Sequence, residues 1–216
     1  MSYTRKVTTV RTGCNGERIV TTTQQLSGGC VSNSSWFQQQ IQQPFETMVN
    51  HCSNENPIES HSIESTSASS PSSSFEEAVL EEHNRLRARH SAAPLRFNSA
   101  MNQYAQEWAN NLARRNTMQH RSNNKYGENL FASFGKADVT GEEAVRAWYN
   151  EIKDYRFGQS NPGNFSQVGH FTQLVWKGSR QLGVGKARNG NNIYVVCNYD
   201  PPGNYSGEYP ANVTAS

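Results

Sequence analysis

Apolar residues recur along the C-terminal two thirds of this chain with two different periods. Phe75, Val79, His83, Leu86 and His90 fall three or four apart, the spacing of one helix face. Ser74 and Glu77 form a capping box in front of them, so a helix is predicted from 75 to about 90. Pro94 breaks the chain. Asn98 is an N-cap for a second helix with Met101, Tyr104, Ala105, Trp108 and Leu112 on one face, fading near Arg115. Gly127-Glu128-Asn129-Leu130 reads as a compact polar turn entering an apolar stretch. Thr140 and Glu143 make a second capping box, opening a helix with Val145, Trp148, Ile152 and Tyr155 on one face. After a turn at 161–164 the period changes to two. His170, Thr172, Leu174 and Trp176 alternate with Phe171, Gln173 and Val175, which predicts a half-buried strand over 170–177 with an imidazole at its entry. Strands over 181–186 and 192–199 follow, and Asn189-Gly190 between them is a hairpin signal. Helices first and an antiparallel meander last predict an α+β domain.

Residues 1–74 have another character. They are rich in Thr, Gln and Ser, and nine of the fifteen residues from 60 to 74 are serine. Such a segment has too little apolar surface to offset its ordering entropy. A disordered tail and linker are therefore expected over 1–74 and a folded domain over 75–216. The β-branched content of 7–23 allows a transient hairpin around Gly13-Cys14-Asn15-Gly16.

A net charge of +2 over 216 residues lacks the basic excess of a nucleic-acid binder, so no nucleic-acid partner is expected. Cys14, Cys30 and Cys52 lie in the tail and Cys197 alone lies in the domain, which therefore forms no internal disulfide. Cys197 alternates with Ile193 and Val195 and reads as a buried structural thiol. No apolar run of signal-peptide or membrane-span length is present, so an intracellular protein is expected, with an extracellular one the lesser alternative. Met1-Ser2-Tyr3 offers no glycine for myristoylation, and Arg5, Lys6 and Arg11 make a poor basic patch.

Taken singly, the titratable groups have ordinary explanations. His120 lies just past a helix C-terminus, where the helix dipole favours an imidazolium. Glu128 is a turn charge. Glu151 sits at the margin of an apolar stripe, either as a solvated rim charge or reaching a cleft. His83 shares a buried face with Val79 and Leu86 and reads as a hydrogen-bonded core residue. Asn129 and Asn198 read as backbone braces. Neither Gly-x-Ser-x-Gly nor His-Glu-x-x-His occurs, so no catalytic residue is assigned.

Four segments fall in one order: His83-Asn84-Arg85-Leu86-Arg87, Gly127-Glu128-Asn129-Leu130, the run from Gly169-His170-Phe171 to Ser179, and the run from Tyr194 through Cys197 to Tyr205. Together they resemble the CAP superfamily of cysteine-rich secretory proteins, antigen 5 and pathogenesis-related 1. The nearest type is the intracellular, Golgi-associated one. The resemblance covers 75–216 and implies a three-layer α-β-α sandwich with an antiparallel sheet. It also implies a cleft tetrad of His120, Glu128, Glu151 and His170, with His120 and His170 as the metal pair. Zn²⁺ is then a weak, non-essential cofactor, since two imidazoles alone make a modest site. A facing carboxylate could orient each imidazole. The resemblance further implies binding of anionic lipid or sterol, with the aromatics Trp148, Tyr149, Tyr155 and Phe157 as an edge for a flat ligand. Protein partners or a homodimer, and a peripheral place on Golgi or other membranes, go with it. Two alternatives stand beside the binding role: a metal-assisted hydrolase using the same tetrad, and a scaffold whose cleft is vestigial.

Overall fold

The structure is a computed structural model and describes residues 4–12, 18–26 and 74–216. Its helices are α1 (Phe75–Ala88), α2 (Ser99–Arg115), α3 (Gly141–Tyr149), α4 (Phe165–Leu174) and the single turn α5 (Tyr209–Asn212). A 3-10 turn, Asn150–Asp154, continues α3. The strands are β1 (Thr4–Thr12), β2 (Arg18–Leu26), β3 (Arg96–Phe97), β4 (Gly127–Phe134), β5 (Gln181–Asn189) and β6 (Asn192–Asp200). They form one sheet in the order β1-β2-β4-β6-β5-β3. The pairing is antiparallel, as expected, except that β3 runs parallel to β5.

Local chemistry starts the helices where the sequence predicts. Glu77 N donates to Ser74 Oγ at 3.2 Å, and Ser74 N donates back to the Glu77 carboxylate at 2.8 Å. Asn98 caps α2 by accepting from Met101 N at 3.2 Å. Thr140 caps α3 through Glu143 N, but the Glu143 carboxylate turns to Lys136 at 2.6 Å, so that capping box is half-made.

Alternation along the central strands builds two cores. Ile193, Val195, Cys197 and Tyr199 of β6 pack with Phe131, Val79, Leu86, Trp148, Val168 and Phe171 beneath α1, α3 and α4. Tyr194 and Val196 face the other way, with Leu130 and Ala132, onto Ala105, Ala109 and Leu112 of α2. The result is the α+β, α-β-α sandwich. On β5, glycine is required for this packing. A Cβ at Gly183 or Gly185 would lie 2.4 Å from the backbone of Met101 or Gln106, so α2 could not approach the strand.

Three expectations change. The strand predicted over 170–177 is helix α4. All of its residues from Val168 to Leu174 are buried, and a helix buried on every side shows no polar face to reveal its period. A short apolar run then satisfies a period of two equally well. The predicted polar turn at 127–130 is the start of β4, a strand buried at every position except the partly exposed Phe134. Flanked on both sides by other strands, it shows no hydrophobic alternation.

The third change concerns the tail. At 4–12 and 18–26 the chain forms, in place of disorder, the hairpin β1–β2 that its β-branched content allowed, with β2 pairing along β4 from Arg18↔Phe134 to Thr23↔Asn129. Val20, Thr21 and Thr22 are buried, and Val20 joins the α2-side core. A segment with no core of its own orders here because the β4 edge offers unpaired main-chain donors and acceptors. The turn at 13–17 and the serine-rich linker lie outside the described residues.

Cys197 is fully buried, and burial pushes its thiol pKa well up. Iodoacetamide at pH 8 is expected to leave Cys197 unmodified in the native full-length chain while labelling it after denaturation. Peptide mass spectrometry reads both states, and native labelling would show that the β6 face opens to solvent.

Candidate functional site

The residues expected to form a tetrad are organised as two imidazole–carboxylate dyads. His120 follows α2 in a segment held from several sides. Trp108 Nε1 donates to Gln119 O at 2.9 Å. The Arg121 guanidinium lies 3.7 Å from the Tyr104 ring centroid and donates to Tyr104 O at 2.9 Å. His120 Nδ1 donates to Glu128 Oε1 at 2.6 Å, and Arg121 N reaches the same oxygen at 3.1 Å. Glu128 pairs in register with Asn198 of β6, whose Nδ2 donates to Glu128 Oε2 at 3.4 Å.

His170 sits in the middle of α4, and its partner Glu151 comes from the 3-10 turn after α3. Its Nδ1 donates to Glu151 Oε1 at 2.7 Å. The other oxygen of Glu151 accepts two main-chain donors of α4, His170 N at 2.9 Å and Phe171 N at 3.2 Å. Glu151 is thus a buried carboxylate serving three donors, not the solvated rim charge that the helix stripe permitted.

One strand joins the dyads. Glu128 and Asn129 are consecutive on β4, so their side chains leave opposite faces of the sheet. Glu128 meets His120, while Asn129 Nδ2 donates to His170 O at 3.1 Å and to Tyr199 Oη at 3.2 Å. Tyr199 Oη also meets His83 Nε2 at 2.8 Å, and His83 Nδ1 donates to Val79 O at 2.8 Å. His83 is therefore the core residue the sequence implied. Burial lowers its pKa to about 4. Asn129 and Asn198 brace the backbone as expected, since Asn198 Nδ2 also donates to Gly127 O at 3.3 Å.

An ionised carboxylate only accepts hydrogen bonds, so Nδ1 is the donor in each dyad, and in the neutral ring Nε2 keeps its lone pair. Both Nε2 atoms are buried and make no hydrogen bond. An imidazole nitrogen on a carboxylate-oriented ring is a donor of the type a borderline metal ion takes. Among the described residues, no group of three or more His, Cys, Asp or Glu gathers around a point that could hold a metal. Any ion held by this pair takes its remaining ligands from water or a bound molecule.

Sequence reasoning missed the support around α4. Asn204, in the left-handed conformation, accepts from Thr172 Oγ1 at 2.6 Å and donates to Gly169 O at 2.9 Å. Its position after Pro201-Pro202-Gly203 was the available signal. The aromatic edge is largely filled by its own rings. Tyr149, Tyr155 and Phe157 pack around Phe171, and His90 meets Tyr149, Phe157 and Phe171. Phe157 is exposed, and Trp148 is buried with its Nε1 donating to Leu130 O.

The sandwich and the paired dyads define a class, and comparison with known proteins agrees. The family model described as "Cysteine-rich secretory protein family", CAP, matches residues 80–199. This chain belongs to that family. It is 39% identical over 143 residues to the human Golgi-associated plant pathogenesis-related protein 1, an overlap covering 64% of this chain and 90% of the relative. It is 41% identical over 144 residues to the secreted protein RBT4 of Candida albicans, covering 63% of this chain but 37% of that protein. Among solved structures, "Crystal structure of NaASP2 with Zn2+" superposes with a TM-score of 0.51 at 28% identity, covering 62% of this chain and 82% of the other.

Proposed function

We propose that this is a binding protein of the CAP family in which His120 and His170 present their Nε2 atoms to a divalent metal such as Zn²⁺. The cleft then retains ligands or partners at membrane surfaces rather than turning over substrate. The observation that carries the reading is the pair of buried Nε2 atoms with no hydrogen bond, each on a ring fixed by a carboxylate. A bound Zn²⁺ would supply a Lewis-acidic centre for an anionic or carbonyl group. Support comes from the solved relative named with Zn²⁺. The domain's only thiol is buried with a raised pKa, which disfavours a cysteine nucleophile. An intracellular, Golgi-peripheral setting is supported by the Golgi-associated relative and by a domain whose single cysteine is free. The secreted relative keeps the extracellular alternative in view. No helix among the described residues is long and apolar enough to cross a membrane.

Calorimetric titration of the full-length chain with Zn²⁺ tests the reading. His120→Ala and His170→Ala are each expected to abolish measurable binding. Glu128→Gln and Glu151→Gln are expected to weaken it roughly ten- to a hundred-fold, because they disturb ring orientation rather than remove a ligand. Affinity should fall on acidification, since protons compete with the metal for the imidazoles. Unchanged binding in the double histidine variant would remove the metal pair. Sedimentation with anionic and sterol-containing vesicles then tests the membrane role separately.

A further inference from the structure

We propose that the N-terminal hairpin is a lid over the two dyads, and that it must leave β4 before His120 and His170 can be reached from solvent. Three observations lead to it. First, β2 pairs with β4 only as far as Thr23↔Asn129. Residues 24–26 continue in pairing with β1 alone, so the hairpin departs from β4 at Glu128, the carboxylate of the first dyad. Second, both β1 and β2 lie beside α4, the helix that carries His170. The hairpin therefore reaches from the strand bearing Glu128 and Asn129 to the helix bearing the second imidazole. Third, the Nε2 atoms of His120 and His170 are buried without a hydrogen bond, and leaving such groups dry is unfavourable.

The hairpin is also the part of the sheet best placed to open. It occupies one end of the strand order. A two-stranded hairpin is marginal by itself, so its order depends on docking. Edge elements with few buried apolar side chains open before the core does. Undocking would free the β4 edge and the dyads while leaving β4, β6 and β5 paired. The purpose of such a lid rests on the cleft being the binding site, but its test needs no ligand.

The test measures carbethoxylation of individual histidines by diethylpyrocarbonate in the full-length chain, read by peptide mass spectrometry. His83 is the internal control, because both of its ring nitrogens are bonded inside the core. Val20→Asp places a charge in the buried contact of β2 with the α2-side core. It is expected to raise the rates at His120 and His170 at least ten-fold relative to His83. A lock gives the opposite arm. Val20 and Ala132 face each other across β2 and β4, so Val20→Cys with Ala132→Cys can bridge them. Cys14, Cys30 and Cys52 are changed to Ser in that background. The oxidised lock is expected to react several-fold more slowly at both histidines than its reduced form. The lid is overturned if Val20→Asp exposes the β4 amides to hydrogen exchange yet leaves both histidine rates unchanged. If Val20→Asp accelerates His83 equally, the lock decides, and equal rates in its two forms overturn the proposal. A failed Zn²⁺ titration would leave these rates standing, so the two readings fail separately.

Discussion

Arg87→Met is expected to destabilise the protein by about 3–5 kcal/mol, among the largest losses available to a single substitution. The Arg87 side chain lies wholly inside the protein, and its guanidinium donates to four main-chain carbonyls. Nε reaches Ala93 O at 2.9 Å, Nη1 reaches Leu174 O at 2.8 Å and Trp176 O at 3.0 Å, and Nη2 reaches Ser179 O at 3.0 Å. Arg87 thereby ties α1 to the end of α4 and to the loop that leads into β5. Burial lowers its pKa to about 10, so it remains charged at neutral pH and is stabilised by carbonyl dipoles. Methionine keeps much of the volume and donates nothing, which leaves buried acceptors unsatisfied. The melting temperature should fall by roughly 10 °C for a domain of this size. Arg87→Lys keeps the charge but not the planar fork, so it should recover only part of the loss. Denaturant unfolding of the three proteins checks this. A loss under about 1 kcal/mol for the methionine variant would mean that water replaces the guanidinium.

Acidification from pH 7 to pH 4 is expected to remove about 3 kcal/mol of stability through His83 alone. The ring is fully buried, and desolvation takes its pKa from 6.5 to about 4. The folded state keeps the ring neutral while the unfolded chain takes up the proton. The contribution is therefore intact above pH 6.5, declines as the pH falls, and is lost near pH 4. Protonation would also put a hydrogen on the nitrogen that accepts from Tyr199, and Tyr199 links through Asn129 to the carbonyl of His170. His90, whose pKa is also lowered by burial, acts in the same direction, so the slope lost in His83→Gln isolates His83. Glu82 enters this window only at its acid end, and His83→Gln retains that contribution. Its hydrogen bond with Arg85, assisted by Arg146, lowers its pKa to about 2, so its contribution is lost only as the pH falls from about 4.5 towards 2. Urea midpoints measured across pH 7 to 4 for wild type and His83→Gln give the comparison, and equal slopes would show that His83 is not the acid-sensitive group.

The amphipathic helices were legible because each has a polar face. Ser74, Asn98 and Thr140 cap them as their side-chain chemistry predicts, and the Asn189-Gly190 signal does separate β5 from β6. Membership of the CAP family was legible from four short segments because these carry buried chemistry: His83 and Arg87 inside α1, Glu128 and Asn129 on β4, His170 on α4. What those segments would look like was not legible. Glu128 and Asn129 read as a turn because polar residues in a two-sided strand are hidden by partners distant in sequence, His120, Asn198 and Tyr199.

By itself, then, the sequence determined which stretches are amphipathic, where α1, α2 and α3 begin, and that Cys197 has no partner in the domain. Tertiary structure alone decided the rest. It made α4 a helix, because a segment buried on all sides carries no period of its own. It organised the tetrad as two dyads, His120 with Glu128 of β4 and His170 of α4 with Glu151 of the turn after α3, because only packing brings these elements together. It ordered 4–12 and 18–26, because an open strand edge satisfies main-chain groups that composition cannot reveal.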